Sequence, residues 1–148
     1  MVKLERLVVG LGLVALVGCG PDVSGDWDFE DNGNGFSDTM TLEKDGSGER
    51  TIQGYVPVSC GDVSGDARLT LAFDVEWELD GDTIELKLEC KDASARLDGC
   101  VPLDGCSAVN EVFGFDLDYD GECELNDDGD EMDCDFDGLD DTLTFEKG

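Results

Sequence analysis

The stretch Phe73-Asp-Val-Glu-Trp-Glu-Leu-Asp-Gly-Asp-Thr-Ile-Glu-Leu-Lys-Leu-Glu-Cys90 decides the fold. Phe73, Val75, Trp77 and Leu79 alternate with Asp74, Glu76, Glu78 and Asp80. Side chains of a strand point to opposite faces in turn, so this period of two places one apolar and one acidic face on a single strand. Beyond Asp80-Gly81 the alternation resumes as Ile84, Leu86, Leu88 and Cys90. Asp-Gly suits a two-residue hairpin turn, which needs positive φ at its central positions. A fold about Asp80-Gly81 predicts Trp77 opposite Ile84, Val75 opposite Leu86 and Phe73 opposite Leu88. A slip of one residue would turn the whole apolar set into water, so the buried face is strongly specified.

The same device recurs outward from this hairpin. Trp27 and Phe29 alternate with acids in a first strand. Thr39–Glu43 and Arg50–Gln53 flank the turn Asp45–Gly48, with Met40, Leu42 and Ile52 inward. Tyr55–Ala67, with Pro57, Cys60 and two glycines, reads as a loop, and Arg68 opens the long central strand. Lys91–Asn110 reads as an irregular segment, with one helical turn expected at Ala93–Leu97. From Glu111 the alternation returns in Phe113, Phe115, Leu117 and Tyr119. Reversals at Asp128-Gly129 and near Gly138 then predict Leu125 opposite Met132, Phe136 opposite Leu143 and Cys134 opposite Phe145. About eight strands joined by hairpins imply an all-β fold, a single antiparallel up-and-down barrel that closes on itself and leaves no sheet edge. Outward positions are mostly Asp and Glu, which are poor strand formers. That propensity spans only about 1 kcal/mol, whereas burying one Leu or Phe is worth about 1.5–3 kcal/mol. The pattern therefore outweighs the propensity.

Cys60, Cys90, Cys100, Cys106, Cys123 and Cys134 are an even set in an otherwise leader-led chain, which reads as three disulfides formed in an oxidising compartment. Reversal at Asp128-Gly129 sets Cys123 opposite Cys134, and directly opposed strand residues lie within bridging distance. Cys100–Cys106 would close a small loop and leave Cys60–Cys90, although six cysteines permit many pairings.

Lys3 and Arg6 precede an apolar run from Leu7 to Gly18 that is too short to span a bilayer with comfort. It ends Leu16-Val-Gly-Cys19. These nineteen residues resemble the signal of bacterial lipoproteins, with its basic start, apolar run and lipobox. The resemblance implies cleavage before Cys19, lipid on its sulfur, a tether over 19–24 and a domain over 25–148. Gly20 rather than Asp after the cysteine implies the outer membrane of the cell envelope. Removing residues 1–18 takes Lys3, Arg6 and Glu5 from 9 basic and 38 acidic residues, leaving a formal charge of −30. Such a charge repels nucleic acid and anionic surfaces, and it favours cations, a basic protein or a salty medium. A monomer is expected. The Gly25-x-Trp27 of the first strand, followed by a meander, is similar to lipocalins and small lipocalin-like domains. In that family the tryptophan closes one barrel end and an arginine of the last strand packs over it. Here the last strand offers Lys147 instead.

Three kinds of site are conceivable. Asp116-Leu-Asp118-Tyr-Asp120-Gly-Glu-Cys-Glu124 and Asp133-Cys-Asp135-Phe-Asp137-Gly-Leu-Asp-Asp141 carry oxygen donors at alternate positions before a glycine. Glu30–Asp38 is a weaker version. This spacing resembles Ca²⁺ loops of EF-hands, and hard Ca²⁺ prefers such oxygens. Flanking helices and a twelfth-position Glu are missing, and the same residues fit outward strand positions. A second possibility is a cavity, or simply a core, lined by Trp27, Phe29, Phe73, Trp77, Phe113, Phe115, Phe136 and Phe145, since an eight-stranded barrel can be filled or hold one small apolar ligand. Trp27 and Trp77 could also stack on sugars, but both keep the apolar phase. Catalysis has little to rest on. With no histidine, Ser-His and Cys-His pairs are impossible. Paired carboxylates could do glycosidic chemistry, yet proximity of acids carries no information in so acidic a chain. The sequence thus points to a non-enzymatic binding or structural module without a committed cofactor.

Overall fold

A computed structural model describes residues 22–29, 36–114, 117–139 and 142–148. Eight antiparallel strands form the body: β1 (Gly25–Phe29), β2 (Ser37–Leu42), β3 (Ser47–Cys60), β4 (Val63–Asp80), β5 (Thr83–Arg96), β6 (Tyr119–Leu125), β7 (Glu131–Phe136) and β8 (Leu143–Lys147). Each strand pairs with the next in the chain, and β8 returns to β1 with Phe145 against Phe29 and Lys147 against Trp27. The sheet is therefore a closed up-and-down barrel, as the hairpin phase predicts. Between β5 and β6 the chain adds a two-residue strand, Leu103–Asp104, and one helix, α1 (Cys106–Phe113). The turns after β2, β4 and β6 gather with both termini of the described body at one end, the base. The turns after β3 and β7, and the segment carrying α1, gather at the other end, the mouth.

The inward residues of the central hairpin are those the alternation marks, but its register differs by two. Asp80 pairs with Thr83, so Trp77 faces Leu86, Val75 faces Leu88 and Phe73 faces Cys90. Gly81 takes φ 66° and is the first of two turn residues, with Asp82 the second. A shift of two keeps every side chain on its own face, so turn geometry alone chooses between the two registers. Leu125 N–H, from the neighbouring strand, donates to the Asp82 carbonyl of the observed turn at 2.8 Å. The reversal near Gly138 is also longer than expected: Leu143 pairs with Cys134 and Phe145 with Met132. The Asp128-Gly129 hairpin has the expected register, with Leu125 against Met132 and Cys123 against Cys134.

Two segments expected to be irregular are strand. Tyr55–Ala67 is not a loop: β3 runs to Cys60, turns at Gly61-Asp62 and returns as β4. Cys60 and Val63 flank a two-residue turn, so hydrogen-bonded pairs fall on even residues of β3, and the Pro57 nitrogen faces away from β4. Among the described residues β2 pairs no further along β3 than Gln53, so the missing N–H of Pro57 costs no ladder bond there. Likewise Ala93–Leu97 contains no helical turn. β5 continues to Arg96, after a register shift at Ala72/Phe73 that moves its inward set from even to odd numbers, Ala93 and Ala95 following Cys90. The helix lies later. Cys106, Val109 and Phe113 share one side at helical spacing, Val109 is fully buried, and Gly114 ends the helix in the left-handed conformation. Phe113 thus belongs to α1, not to a strand, and β6 begins only at Tyr119. Phe115 lies outside the described residues.

The core is continuous through the barrel. Trp27, Met40, Phe73, Ile84, Leu88, Met132 and Phe145 are fully buried. Gly121 points inward against Phe136, and a Cβ there would come within 2.5 Å of the phenyl ring, so the glycine makes room for it. Of the three disulfides, Cys123–Cys134 joins facing residues of β6 and β7 as expected. The other two differ: Cys60 bonds Cys100 and Cys90 bonds Cys106. Both bridges tie the α1 segment to the barrel, Cys60 from the β3–β4 hairpin tip and Cys90 from β5. A Cys100–Cys106 bridge would close the segment on itself and leave it held to β5 only by the pairing of Leu103–Asp104 and its neighbouring contacts.

Candidate functional site

The interior is occupied by side chains where an apolar ligand would otherwise sit. β3 brings Arg50 into the barrel at 1% exposure, and β2 brings Asp38 beside it. Arg50 Nε donates to Asp38 Oδ1 at 2.9 Å and Nη2 donates to Asp38 Oδ2 at 2.5 Å. Its Nη1 donates to the Tyr119 hydroxyl at 2.9 Å. The guanidinium lies 4.0 Å from the centroid of Phe136 and 5.7 Å from that of Phe145, within cation–π reach. Phe73 and Phe136 meet Tyr119 edge to face at 5.4 and 5.9 Å. Burial pushes the Asp38 carboxyl above its ordinary range, and the hydrogen bonds and charge of Arg50 offset this only in part. Burial is the largest influence on Arg50 and works against its charge, but the hydrogen bonds and charge of Asp38, with Tyr119, together outweigh it and raise the guanidinium above its ordinary value. Burial raises the Tyr119 phenol as well, against the opposing Arg50 charge. The hydrophobic pattern missed this pair, although its phase was legible: Asp38 shares parity with Met40, and Arg50 with Ile52.

Of the aromatic residues expected inside, Trp27, Phe73, Phe136 and Phe145 are buried, while Phe29, Trp77 and Phe113 pack at the margins of the core. Trp77 caps the base, its Nε1 donating to the carbonyls of Glu43 and Ser47 at 2.9 Å each. At the same end Lys147 Nζ lies 5.7 Å from the Trp27 ring centroid and donates to the Asp22 carbonyl at 2.6 Å. The Trp27 indole donates to the Val23 carbonyl at 2.9 Å. A cation from the last strand thus lies over the first-strand tryptophan. Residues 22–24 belong to the barrel rather than to a free tether, since Val23 is 1% exposed.

The acidic repeats lie outside. Asp120 and Glu124 on β6, and Asp133 and Asp135 on β7, are exposed outward residues of paired strands, with Asp137 exposed in the turn that follows β7. Asp118 accepts the Cys90 N–H at 3.0 Å. Asp133 and Asp135 accept the hydroxyls of Thr144 and Thr142 at 2.7 and 2.6 Å. Asp116 and Asp141 lie outside the described residues. Among the described residues no three Asp, Glu or Cys side chains converge as a metal site. Strand pairing explains this: alternate oxygens run along a ladder instead of turning around a point. An open groove of about 1030 Å³ crosses this outer face, with Glu76, Glu78, Glu85, Glu122 and Asp135 among its walls and Lys87 as its one basic residue.

The mouth is different in character. A groove of about 330 Å³ runs between the β3–β4 hairpin, the end of β5 and α1. Val58, Leu97, Val101, Leu103, Val112 and Phe113 form its apolar walls, Cys60 and Cys100 contribute their bridge, and no charged side chain lines it. Strand pairing of Leu103–Asp104 with β5 and the two disulfides bring these stretches together, and neither feature was legible in the sequence. The chain matches no protein-family model, no curated protein and no solved structure.

Proposed function

We propose that the chain is a lipid-anchored protein of the bacterial cell envelope, held in the outer membrane through Cys19, with its barrel acting as a non-enzymatic binding module. The observation that carries this reading is the pinning of the N-terminal strand at the base. Val23 is buried, the Asp22 and Val23 carbonyls are bound by Lys147 and Trp27, and two residues, Gly20 and Pro21, separate Asp22 from Cys19. The three Cα-to-Cα steps between them reach at most about 10 Å. A lipid on Cys19 would therefore hold the base against the bilayer and turn the mouth, with its apolar groove, away from it. The test is to express the full chain and a Cys19→Ser variant in a bacterium fed labelled palmitate. The wild type is expected to take up label, run at the mass of the cleaved form and sediment with outer membranes, and Cys19→Ser to do none of these. Unlabelled wild type released on cell lysis would end the proposal.

A further inference from the structure

We infer that the groove at the barrel mouth is a binding site for a small organic molecule with an apolar body and no negative charge. The inference deepens the binding reading above and does not depend on the anchor. Four observations carry it. First, nearly a third of the chain is charged, yet no charged side chain lines this groove. Second, its rim leaves large apolar groups in water: Val101 is 87% exposed and Val112 is 60% exposed, on two different walls. Apolar area left in water gains free energy when a ligand covers it. Third, the site is pre-formed. Cys60–Cys100 and Cys90–Cys106 fix the loop and α1 against β3 and β5, so little ordering entropy is spent on binding. At about 330 Å³ the space suits a small molecule, and it is far too small to imply a protein partner.

Fourth, the border selects the sign of charge. Exposed Asp62, Asp98 and Glu111 lie within two residues of lining residues in the chain, whereas Asp66 and Arg68 flank inward Ala67 and point to the outer face, and Arg96 is paired with Asp104 at 2.6 Å. A fatty-acid carboxylate would be repelled here, whereas a neutral or cationic ligand would not.

The experiment uses the full chain carrying Cys19→Ser, which removes the thiol that would carry lipid and precedes the described residues. It is titrated with a neutral solvatochromic dye, a cationic dye of like size and the anionic anilinonaphthalene sulfonate. The neutral and cationic dyes are expected to bind one per chain, and the anionic dye at least about tenfold more weakly, because its charge meets the acidic border. Val112→Asp and Val101→Asp each bring a carboxylate to the groove wall and are expected to weaken the neutral dye by about tenfold or more. Leu139→Asp, at an apolar residue 52% exposed that does not line the groove, is expected to leave it within about twofold. Near-ultraviolet circular dichroism checks that each variant keeps its fold. Binding that survives both valine substitutions, or an anionic dye that binds as well as the neutral one, overturns the inference. Failure of the anchor would show in cell fractionation and leave this titration unchanged.

Discussion

Arg50 shows what a single residue contributes to this barrel. It is the one basic side chain buried among the described residues, and its stem and guanidinium fill space that Phe136 and Phe145 would otherwise leave open. Removing one partner of a buried ion pair strands the other, which costs about 3–5 kcal/mol, whereas replacing both with apolar groups is often near neutral. Arg50→Met is therefore expected to lose about that amount at pH 7 in urea unfolding, and Arg50→Met with Asp38→Leu to regain most of it. The pH dependence carries a further sign. Burial already raises the Asp38 carboxyl, and without Arg50 nothing opposes that rise. A carboxyl raised in the folded state binds its proton there more tightly than in the unfolded chain. Its contribution to stability is then largest below the ordinary carboxylate range and is lost as pH rises through the folded value. Arg50→Met should consequently sit closer to wild type near pH 4 than at pH 7, and a gap that is constant with pH would contradict the pairing. Parity along the strands placed both residues inward, but a charged residue in a strand is ordinarily read as outward. Only the partner across β2–β3, Met40 against Arg50 with Asp38 two residues away, makes the burial tolerable.

At the scale of elements, strand faces were readable and strand ends were not. The period of two carried through Phe73–Leu79, Ile84–Cys90 and Cys123–Met132 because each side of those strands meets one environment. It failed at Lys91, where the register shift changes the inward parity, so Ala93, Ala95 and Leu97 looked like a helical turn although they alternate correctly in the new phase. It also failed at Cys106–Phe113, where residues 106–110 read as part of an irregular segment and Phe113 as strand, because a helix of eight residues holds too few apolar positions to show its period. The cysteine pairing depended on these two elements, and so it was legible only at Cys123–Cys134, where one hairpin contains both. The bridge Cys60–Cys100 spans 40 residues, against 11 for Cys123–Cys134. Loop-closure entropy assigns it about 4 kcal/mol. Cys60→Ala with Cys100→Ala should lower the unfolding free energy by about that amount at most. It should also raise amide exchange in residues 97–114 more than in β6–β7, because the exposed Arg96–Asp104 pair contributes little. Equal acceleration throughout the barrel would mean that the bridge acts on the unfolded chain alone and does not hold the mouth.

The whole molecule combines a filled barrel with a formal charge of −29, nearly all of it projecting outward, and its response to cations follows from how those acids are spaced. Glu122 faces Asp135 and Glu124 faces Asp133 across β6–β7, and like charges directly opposed destabilise a sheet. Two mechanisms could relieve them. Screening by any salt shortens the Debye length from about 30 Å at 0.01 M to about 10 Å at 0.1 M, and it acts on every outward acid at once. Chelation would require several oxygens to turn toward one ion, as Ca²⁺ takes six to eight, and the ladder holds its carboxylates in rows, two of them engaged by Thr142 and Thr144. Screening is thus the expected mechanism. Thermal melts in millimolar CaCl₂ and in NaCl of matched ionic strength should rise together, by about 3–5 °C for each kcal/mol of repulsion relieved. A Tm increment specific to Ca²⁺, lost in Asp133→Asn with Asp135→Asn, would instead show that the acidic repeats bind the ion despite their strand geometry. The cation would then be a ligand of the outer barrel wall.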